Sequence, residues 1–297
     1  MGRLNRFLSI IRKFVMITAI DHIIIAVKNL KEAEANYELL LGLPPCWRGT
    51  HKQLGTENSL FIFKNTYLEL LAQKGNGMGA ELIKNTLKEK GEGLFGLVFK
   101  TENIDLAAQK LKKHDCIVGP PFEGSGENNT DGKVRTWKNL FLTDKITRGV
   151  FSFLIQHKNV SLPKVDRYEP AMINNLDHVV MTTSDPDGFI NTYKGIYKIR
   201  LALDKYVESL KSRVLFFRLN KTTLEVVVTE KSKVMPDSLW GLAWGVDSIK
   251  ETRNRLISKG IKVSSVKKGM KEGTLVATVK SNTHNVPTLL IEHIKEK

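Results

Sequence analysis

Short apolar runs and amphipathic helical stretches alternate along the chain. Residues 20–25, 60–63 and 67–71 are mainly apolar runs of the length expected for strands. After the first run, Asn29 can cap a helix whose apolar residues recur at helical spacing, and Gly42 follows its end. The pattern therefore predicts a strand, a helix and then two or three further strands.

The same succession recurs in the second half of the chain. The sequence Leu-Asp-His-Val-Val-Met around His178 parallels Ile-Asp-His-Ile-Ile-Ile around His22. Thr-Leu-Glu-Val around Glu225 likewise parallels Tyr-Leu-Glu-Leu around Glu69. Both markers are displaced by the same 156 residues, and a shared displacement indicates an internal repeat.

Two weaker copies of the pattern fill the remaining sequence, at residues 94–155 and 239–294. Four βαβββ units therefore cover the chain, with an extra helix expected near residues 80–90. The charged segment 159–172 contains Pro163 and is predicted to be a linker. We expect a first domain over residues 17–158 and a second, more degenerate domain over residues 173–297.

Charge is concentrated at the start of the chain. The net charge is +15 over 297 residues. Residues 1–16 carry four basic residues, no acid, and apolar positions at helical spacing. This segment is either a cationic amphipathic leader that could lie on a membrane surface or a mis-annotated start ahead of Met16. Elsewhere lysines are interspersed with acids and no aromatic-basic motif occurs, so we expect no nucleic-acid partner.

The two cysteines do not indicate a disulfide framework or a cysteine-based zinc site. Cys46 and Cys116 are 70 residues apart and neither has a second cysteine nearby. No apolar run approaches the roughly 20 residues that span a bilayer. These features are typical of a cytoplasmic protein.

Two further motifs carry a resemblance to a known family. One runs from His51 through Gly55, Thr56 and Asn58 and is followed by Tyr67-Leu-Glu-Leu. The other is Asp-Gly-Lys-Val-Arg-Thr-Trp, which ends at Trp137. With the four βαβββ units, they resemble the glyoxalase-like branch of the vicinal oxygen chelate superfamily, the group of glyoxalase I and extradiol dioxygenases. The resemblance covers about residues 17–295 and implies an α+β fold of two cup-shaped mixed β-sheets.

The resemblance implies a divalent metal held by inward residues of the first and last strands of each unit. In the first half these positions hold His22, Glu69 and Gln156, with Gly96 where a fourth ligand is expected. Three ligand-type residues stand in the second half, where a degenerate relic site is expected: His178, Glu225 and Glu292. Since a metal centre in such a site needs roughly three or four protein ligands, the set is incomplete.

The candidate catalytic residues are His22 and Glu69, assisted by His51. They could form half of a metal site or, without metal, a pair that moves a proton next to a carbonyl group. The alternatives are a buried structural pair and, for His51, a surface-loop histidine.

The candidate substrate-binding residues lie in the same two motifs: Asn58, Tyr67, Arg135 and Trp137. Asn58 and Tyr67 could donate hydrogen bonds to a ligand, Arg135 could pair with a carboxylate, and Trp137 could stack on a ring. The alternatives are core aromatic residues and an arginine exposed on a strand.

Three functions remain open at this point. The first is an enzyme, of the lyase, isomerase or dioxygenase kind, that acts on a small polar organic molecule in the first cup. The second is a metal-independent protein that binds or sequesters a small molecule. The third is an interaction protein at an anionic surface. Either a monomer or a homodimer is compatible with the repeat.

Overall fold

The computed structural model describes residues 14–114, 116–159, 161–229 and 236–294. Most of the predicted leader therefore lies outside the described residues. Where the description begins, Met16 and Ile17 are buried against the first half of the molecule. No helix in the described part of the chain is both long and apolar enough to cross a membrane.

The first half contains eight strands and four α-helices in the described residues. In chain order they are β1 (Ala19–Ala26), α1 (Leu30–Leu41), β2 (Trp47–His51), β3 (Thr56–Ile62), β4 (Tyr67–Gln73), α2 (Met78–Lys90), β5 (Gly93–Lys100), α3 (Ile104–Lys112), β6 (Phe122–Asn128), β7 (Val134–Phe141), α4 (Asp144–Thr147) and β8 (Phe151–His157). The predicted extra helix near residues 80–90 is α2.

The second half also has eight strands but fewer α-helices in its described residues. Its elements are β9 (Ile173–Thr183), α5 (Pro186–Ile190), a π-helix (Asn191–Ile196), β10 (Arg200–Val207), a 3₁₀ turn (Glu208–Leu210), β11 (Ser212–Leu219), β12 (Thr222–Val228), β13 (Ser238–Val246), α6 (Ile249–Ser258), β14 (Lys267–Lys268), β15 (Thr274–Val279) and β16 (Thr288–His293).

The eight strands of the first half close into a barrel, in the order β1-β4-β3-β2-β6-β7-β8-β5. Within each unit the first and last strands pair in parallel, β1 with β4 and β5 with β8, and the other neighbours are antiparallel. The two units meet at β1 with β5 and at β2 with β6. The second junction is short, because only Gly49 with Asn128 and Thr50 with Glu127 are paired there.

The second half forms an open eight-stranded sheet in the order β10-β11-β12-β9-β13-β16-β15-β14. Its edge strands are β10 and the two-residue β14, and they do not pair with each other. The expected pair of cups is thus one closed barrel and one open sheet. The difference follows from β14, which is too short to supply the hydrogen bonds that would close the sheet.

The helices form where the sequence provides caps. Asn29 accepts a hydrogen bond from the backbone N–H of Glu32 at the start of α1, and Gly42 ends that helix in the left-handed conformation that glycine favours. Asn103 and Ser248 cap α3 and α6 in the same way. The apolar faces of these helices pack on the outside of the sheets, which leaves the inner face of the barrel free to form a cavity.

One buried apolar cluster extends through both halves. It includes Tyr37 and Phe61 from the first half and Tyr193, Phe217 and Trp244 from the second. The halves therefore share their main core rather than each burying a separate one.

Candidate functional site

The barrel encloses a cavity of about 460 Å³. Side chains on a strand alternate between the two faces of the sheet, so every second residue of these strands points inward. The polar inward residues are His22, His51, Thr56, Asn58, Tyr67, Glu69, Arg135, Asn139 and His157. The structure brings all the predicted first-half residues, Trp137 included, into this cavity except Gln156.

His22 lies between two buried carboxylates. Its Nδ1 is 2.8 Å from Asp21 Oδ1, and its Nε2 is 3.3 Å from Glu69 Oε2. The other oxygen of Asp21 is 2.9 Å from His157 Nε2. Because both ring nitrogens of His22 face a carboxylate, the doubly protonated imidazolium matches this position best.

The charges in this cluster are mutually stabilised. Burial alone lowers the pKa of His22, but the hydrogen bonds and charges of Asp21 and Glu69 outweigh it and raise the pKa above its ordinary value. Burial conversely raises the pKa of Glu69, and the hydrogen bond and charge of His22 reverse that and lower it. The His22 and Glu69 pair is therefore held in its ionised form.

His51 stands at the other end of the same hydrogen-bonded chain. Asn58 Nδ2 donates to Glu69 Oε1 at 2.6 Å and lies 3.4 Å from His51 Nε2. The other ring nitrogen, Nδ1, is 3.0 Å from Thr56 Oγ1. Burial lowers the pKa of His51, the charge of Glu69 opposes this, and Arg135 and His22 lower the pKa further. His51 is thus a neutral imidazole on the cavity wall, at the buried end of β2 rather than in a surface loop.

Arg135 is a buried cation in the same cavity. It is only 6% exposed, so it is not an arginine on the outer surface of its strand. Its guanidinium lies 5.5 Å from the ring centre of Trp47 and 5.8 Å from that of Tyr67. The ring of Tyr67 in turn stacks on His22 with centroids 4.5 Å apart. Tyr67 therefore separates the guanidinium from the ionised pair by a single ring.

The remaining lining is largely aromatic. Trp137 contacts His51 edge to face, with centroids 5.8 Å apart. Phe95 and Phe151 stack on each other, and Phe153 packs against Phe151 and Phe141. α2 adds Met78, Leu82 and Ile83 to the lining. The lining therefore combines a polar cluster with an aromatic and apolar part.

The structure contradicts the expected role of Gln156 as a metal ligand. Its Oε1 accepts a hydrogen bond of 2.8 Å from the backbone N–H of Ile104, at the first turn of α3. Ile155 and His157 line the cavity, so the alternation of side chains turns Gln156 to the outside.

Glu292 makes the equivalent contact with a helix start in the second half. Its Oε2 accepts a hydrogen bond of 2.7 Å from the backbone N–H of Ile249, at the start of α6. Glu292 therefore does not belong to a relic of the site, although it occupies the place that the alignment of the repeats assigned to it.

His178 and Glu225 reproduce the first-half cluster in a looser form. His178 Nδ1 is 2.8 Å from Asp177 Oδ1, its Nε2 is 3.6 Å from Glu225 Oε2, and Asp177 also contacts His293 Nε2 at 2.6 Å. The His178 side chain is 13% exposed, against 4% for His22. Burial raises the pKa of Glu225 here, whereas that of Glu69 is lowered. On the open sheet the same residues are not held as an ion pair in an enclosed cavity.

Sequence reasoning missed Asp21, His157, Asp177 and His293. Two signals were available. An aspartate immediately precedes the histidine in both copies of the first-strand marker. The inward positions Phe151, Phe153 and Ile155 place the next inward residue of β8 at 157.

The residues present do not fit the divalent metal that the resemblance implies. The first-half set is reduced to His22 and Glu69, since Gln156 points outward and position 96 is a glycine against Phe151 and Ile24. No group of three or more His, Cys, Asp or Glu in the described residues could hold a metal ion. Arg135 also places a permanent positive charge in the cavity, which disfavours a second cation.

The paired βαβββ units and the inward His/Glu cluster define a protein of the vicinal oxygen chelate superfamily. The chain belongs to the glyoxalase-like domain family, whose model matches residues 20–197. No curated protein matches the chain. The predicted family is therefore confirmed.

Solved structures confirm the predicted fold class. A mutant of 4-hydroxymandelate synthase from Streptomyces coelicolor matches with a TM-score of 0.65 and 14% identity, covering 95% of this chain and 94% of that one. A hypothetical protein from Staphylococcus aureus matches with a TM-score of 0.63 and 12% identity, covering 93% of this chain and 99% of that one. The Mn(II)-bound glyoxalase from Novosphingobium aromaticivorans matches with a TM-score of 0.62 and 13% identity, covering 94% of this chain and 83% of that one. At these identities the likeness concerns the fold alone.

Proposed function

We propose that this glyoxalase-like protein is an enzyme that transfers a proton to and from a carbon next to a carbonyl group, in the barrel cavity and without a metal ligand set. One observation carries the proposal. A buried hydrogen-bonded chain on the cavity wall joins an ionised His22 and Glu69 pair to a neutral His51 through Asn58. Two titratable groups whose surroundings favour opposite protonation states suit the roles of acid and base.

The roles follow from these protonation states. His51 Nε2 takes the proton as the C–H bond breaks, and the electron pair of that bond forms the enolate. The His22 imidazolium stabilises the enolate oxygen, because its 3.3 Å contact with Glu69 is long enough to be shared with a second acceptor. Return of a proton from His51 to the same carbon completes the exchange. This assignment makes His51 the base, whereas the sequence suggested His22 and Glu69.

Solvent exchange tests this function without a known substrate. A panel of small ketones, keto acids and aldehydes is incubated in D₂O with the protein, and loss of the C–H signal next to the carbonyl is followed by proton NMR. We expect exchange of at least one compound by the wild type. His51→Gln and His22→Gln should slow it by about 100-fold or more, the usual size of general acid–base catalysis.

His178→Gln is the matched control, since it changes the equivalent histidine in the open sheet. It should exchange protons at the wild-type rate. Exchange by His51→Gln as fast as by the wild type would refute the proposal, as would a wild type that leaves the whole panel at the buffer rate.

The apolar half of the cavity favours a second candidate, a protein that binds a small molecule without changing it. Such a protein needs the aromatic lining but not the ionised pair. It would bind members of the same panel with wild-type affinity after His51→Gln, and it would show no exchange in either form.

A further inference from the structure

The cationic end of the cavity has no anion of its own. Both nearby buried acids already have other partners: Glu69 contacts His22 and Asn58, and Asp21 contacts His22 and His157. None of the described carboxylates forms an ion pair with Arg135, and its Nε atom is buried without a hydrogen-bond partner. A buried charge without a counterion is costly unless something compensates for it, and the Trp47 and Tyr67 rings do so only in part.

Polarity changes along the cavity in a fixed direction. On β7 the inward residues run in the order Arg135, Trp137, Asn139 and Phe141. On the antiparallel strand β8, Trp137 pairs with His157, Asn139 with Ile155 and Phe141 with Phe153. The wall thus passes from a cation and a histidine at one end to phenylalanines at the other. Phe95, which stacks on Phe151, stands at the start of β5 directly after α2, and α2 adds the exposed Leu82 to the lining.

From this arrangement we infer that the cavity binds an amphipathic organic anion whose carboxylate lies against Arg135 and whose apolar or aromatic body extends toward α2. The inference rests on the proposed function, because it names the substrate class of the same site.

A monoanion fits better than a doubly charged group. Among the described residues that line the cavity, Arg135 is the one lysine or arginine. The planar guanidinium matches a carboxylate through paired N–H donors. A volume of about 460 Å³ suits one small molecule that is mostly enclosed.

The orientation also places the ligand relative to the proton-transfer residues. Arg135 and His22 both contact the ring of Tyr67, so the carboxylate end lies within one ring thickness of the ionised pair. His51 contacts Trp137, the next inward residue after Arg135 on β7. The reacting carbon would therefore lie in the first few bonds from the carboxylate, between these histidines.

Matched pairs of probes test the inference. Phenylacetate, 4-phenylbutyrate, 6-phenylhexanoate and octanoate are each compared with the corresponding neutral amide, and binding is measured by isothermal titration calorimetry. We expect at least one acid to bind the wild type about tenfold or more tightly than its amide, a difference typical of one charge-assisted hydrogen bond. Arg135→Gln should remove this preference while leaving the affinity for the amide within about twofold.

Lys138→Gln is the matched control, because Lys138 is a cation on the same strand that points outward to Asp105. It should keep the preference for the acid. Equal binding of acids and amides by the wild type would overturn the inference, as would an Arg135→Gln variant that keeps the preference or a wild type that binds none of the probes.

The result is separable from the proposed function. His51→Gln should slow proton exchange by about 100-fold or more but keep the preference for the acid over the amide. If the wild type shows the preference and no compound exchanges, the substrate class stands and the catalytic proposal fails. If neutral carbonyl compounds exchange protons and acids bind no more tightly than their amides, the catalytic proposal stands and the substrate class fails.

Discussion

At the scale of single residues, the molecule depends on a small number of buried charges that stabilise one another. Asp21, His22 and Glu69 are each buried, and each has a charged partner within the cluster. Removing one partner of such a group leaves the others uncompensated in a medium of low polarity. This makes the cluster sensitive to both substitution and pH.

His22→Ala should lower the free energy of unfolding by about 3–5 kcal/mol near pH 6, the usual cost of breaking a buried ion pair from one side. The pKa of His22 is raised in the folded state, so the stability gained from protonating it is complete below its unfolded pKa and is lost as pH rises through the folded pKa. The difference between wild type and variant should therefore shrink at higher pH.

Denaturant unfolding measured from pH 5.5 to 9 checks this pH dependence. His178→Ala provides the control, since the equivalent side chain is more exposed and its contact with Glu225 is longer. A His22→Ala difference that grew with pH would contradict the assignment of an imidazolium to His22.

The sequence predicted the cavity residues well and the ligand set poorly. The motifs around His51 and Trp137 correctly brought together histidine, glutamate, asparagine, tyrosine and arginine. The prediction failed for Gln156 because strand alternation makes a shift of one residue exchange the inside for the outside. His157 was missed for the same reason, and no motif shows the protonation states, which depend on burial in the closed barrel.

At the scale of elements, the second unit of each half uses its last strand to hold its own helix. Gln156 on β8 accepts the N–H of Ile104 at the start of α3, and Glu292 on β16 accepts the N–H of Ile249 at the start of α6. The contact is thus a repeated structural device that links a strand to a helix N-terminus.

Gln156→Ala should lower the free energy of unfolding by about 1 kcal/mol, as the loss of one helix-capping hydrogen bond usually does. Proton exchange should be unaffected, because the side chain lies outside the cavity. Thermal or denaturant unfolding and the NMR exchange assay provide the two readouts. Loss of activity in a variant with wild-type stability would restore Gln156 to the site.

Most elements follow from the hydrophobic pattern, and the exceptions have physical reasons. The strands with apolar runs and the capped helices lie close to their predicted bounds. β2 was not located because its sequence, Trp-Arg-Gly-Thr-His, has few apolar residues to mark it. β10 is an edge strand with an exposed surface and shows no regular burial pattern. Pairing with a neighbour, rather than the residues themselves, defines both strands.

At the scale of the whole molecule, polar contacts add to the shared core between the halves. Asn65 donates to the carbonyl of Leu176 and to Thr222. Arg148, at the end of α4, bonds Asp185 and Asp237 of the second half. With one buried cluster through both halves, we expect the protein to unfold as one cooperative unit.

Arg148→Met should lower the free energy of unfolding by about 3–5 kcal/mol, because it leaves the buried carboxylate of Asp237 without its cation. The unfolding transition should stay single in differential scanning calorimetry. Arg213→Met is the control: its partner Asp204 is partly exposed, so the loss should not exceed about 1 kcal/mol. Two separate transitions in the wild type would show that the halves fold independently.

The short junction between β2 and β6 has a kinetic consequence. Two residue pairs and a backbone hydrogen bond from Asn129 N–H to the Arg48 carbonyl close the barrel there, while β1 and β5 join over most of their length. Local opening of a protein begins where the fewest hydrogen bonds must break, so the amides of this junction should exchange with solvent ahead of those of β1 and β5. Because β2 carries both Trp47 and His51, such an opening would separate the cavity wall beside the hydrogen-bonded residues Asn58 and Glu69. The rate at which a ligand enters would then depend on how often this junction opens and not on the size of the cavity.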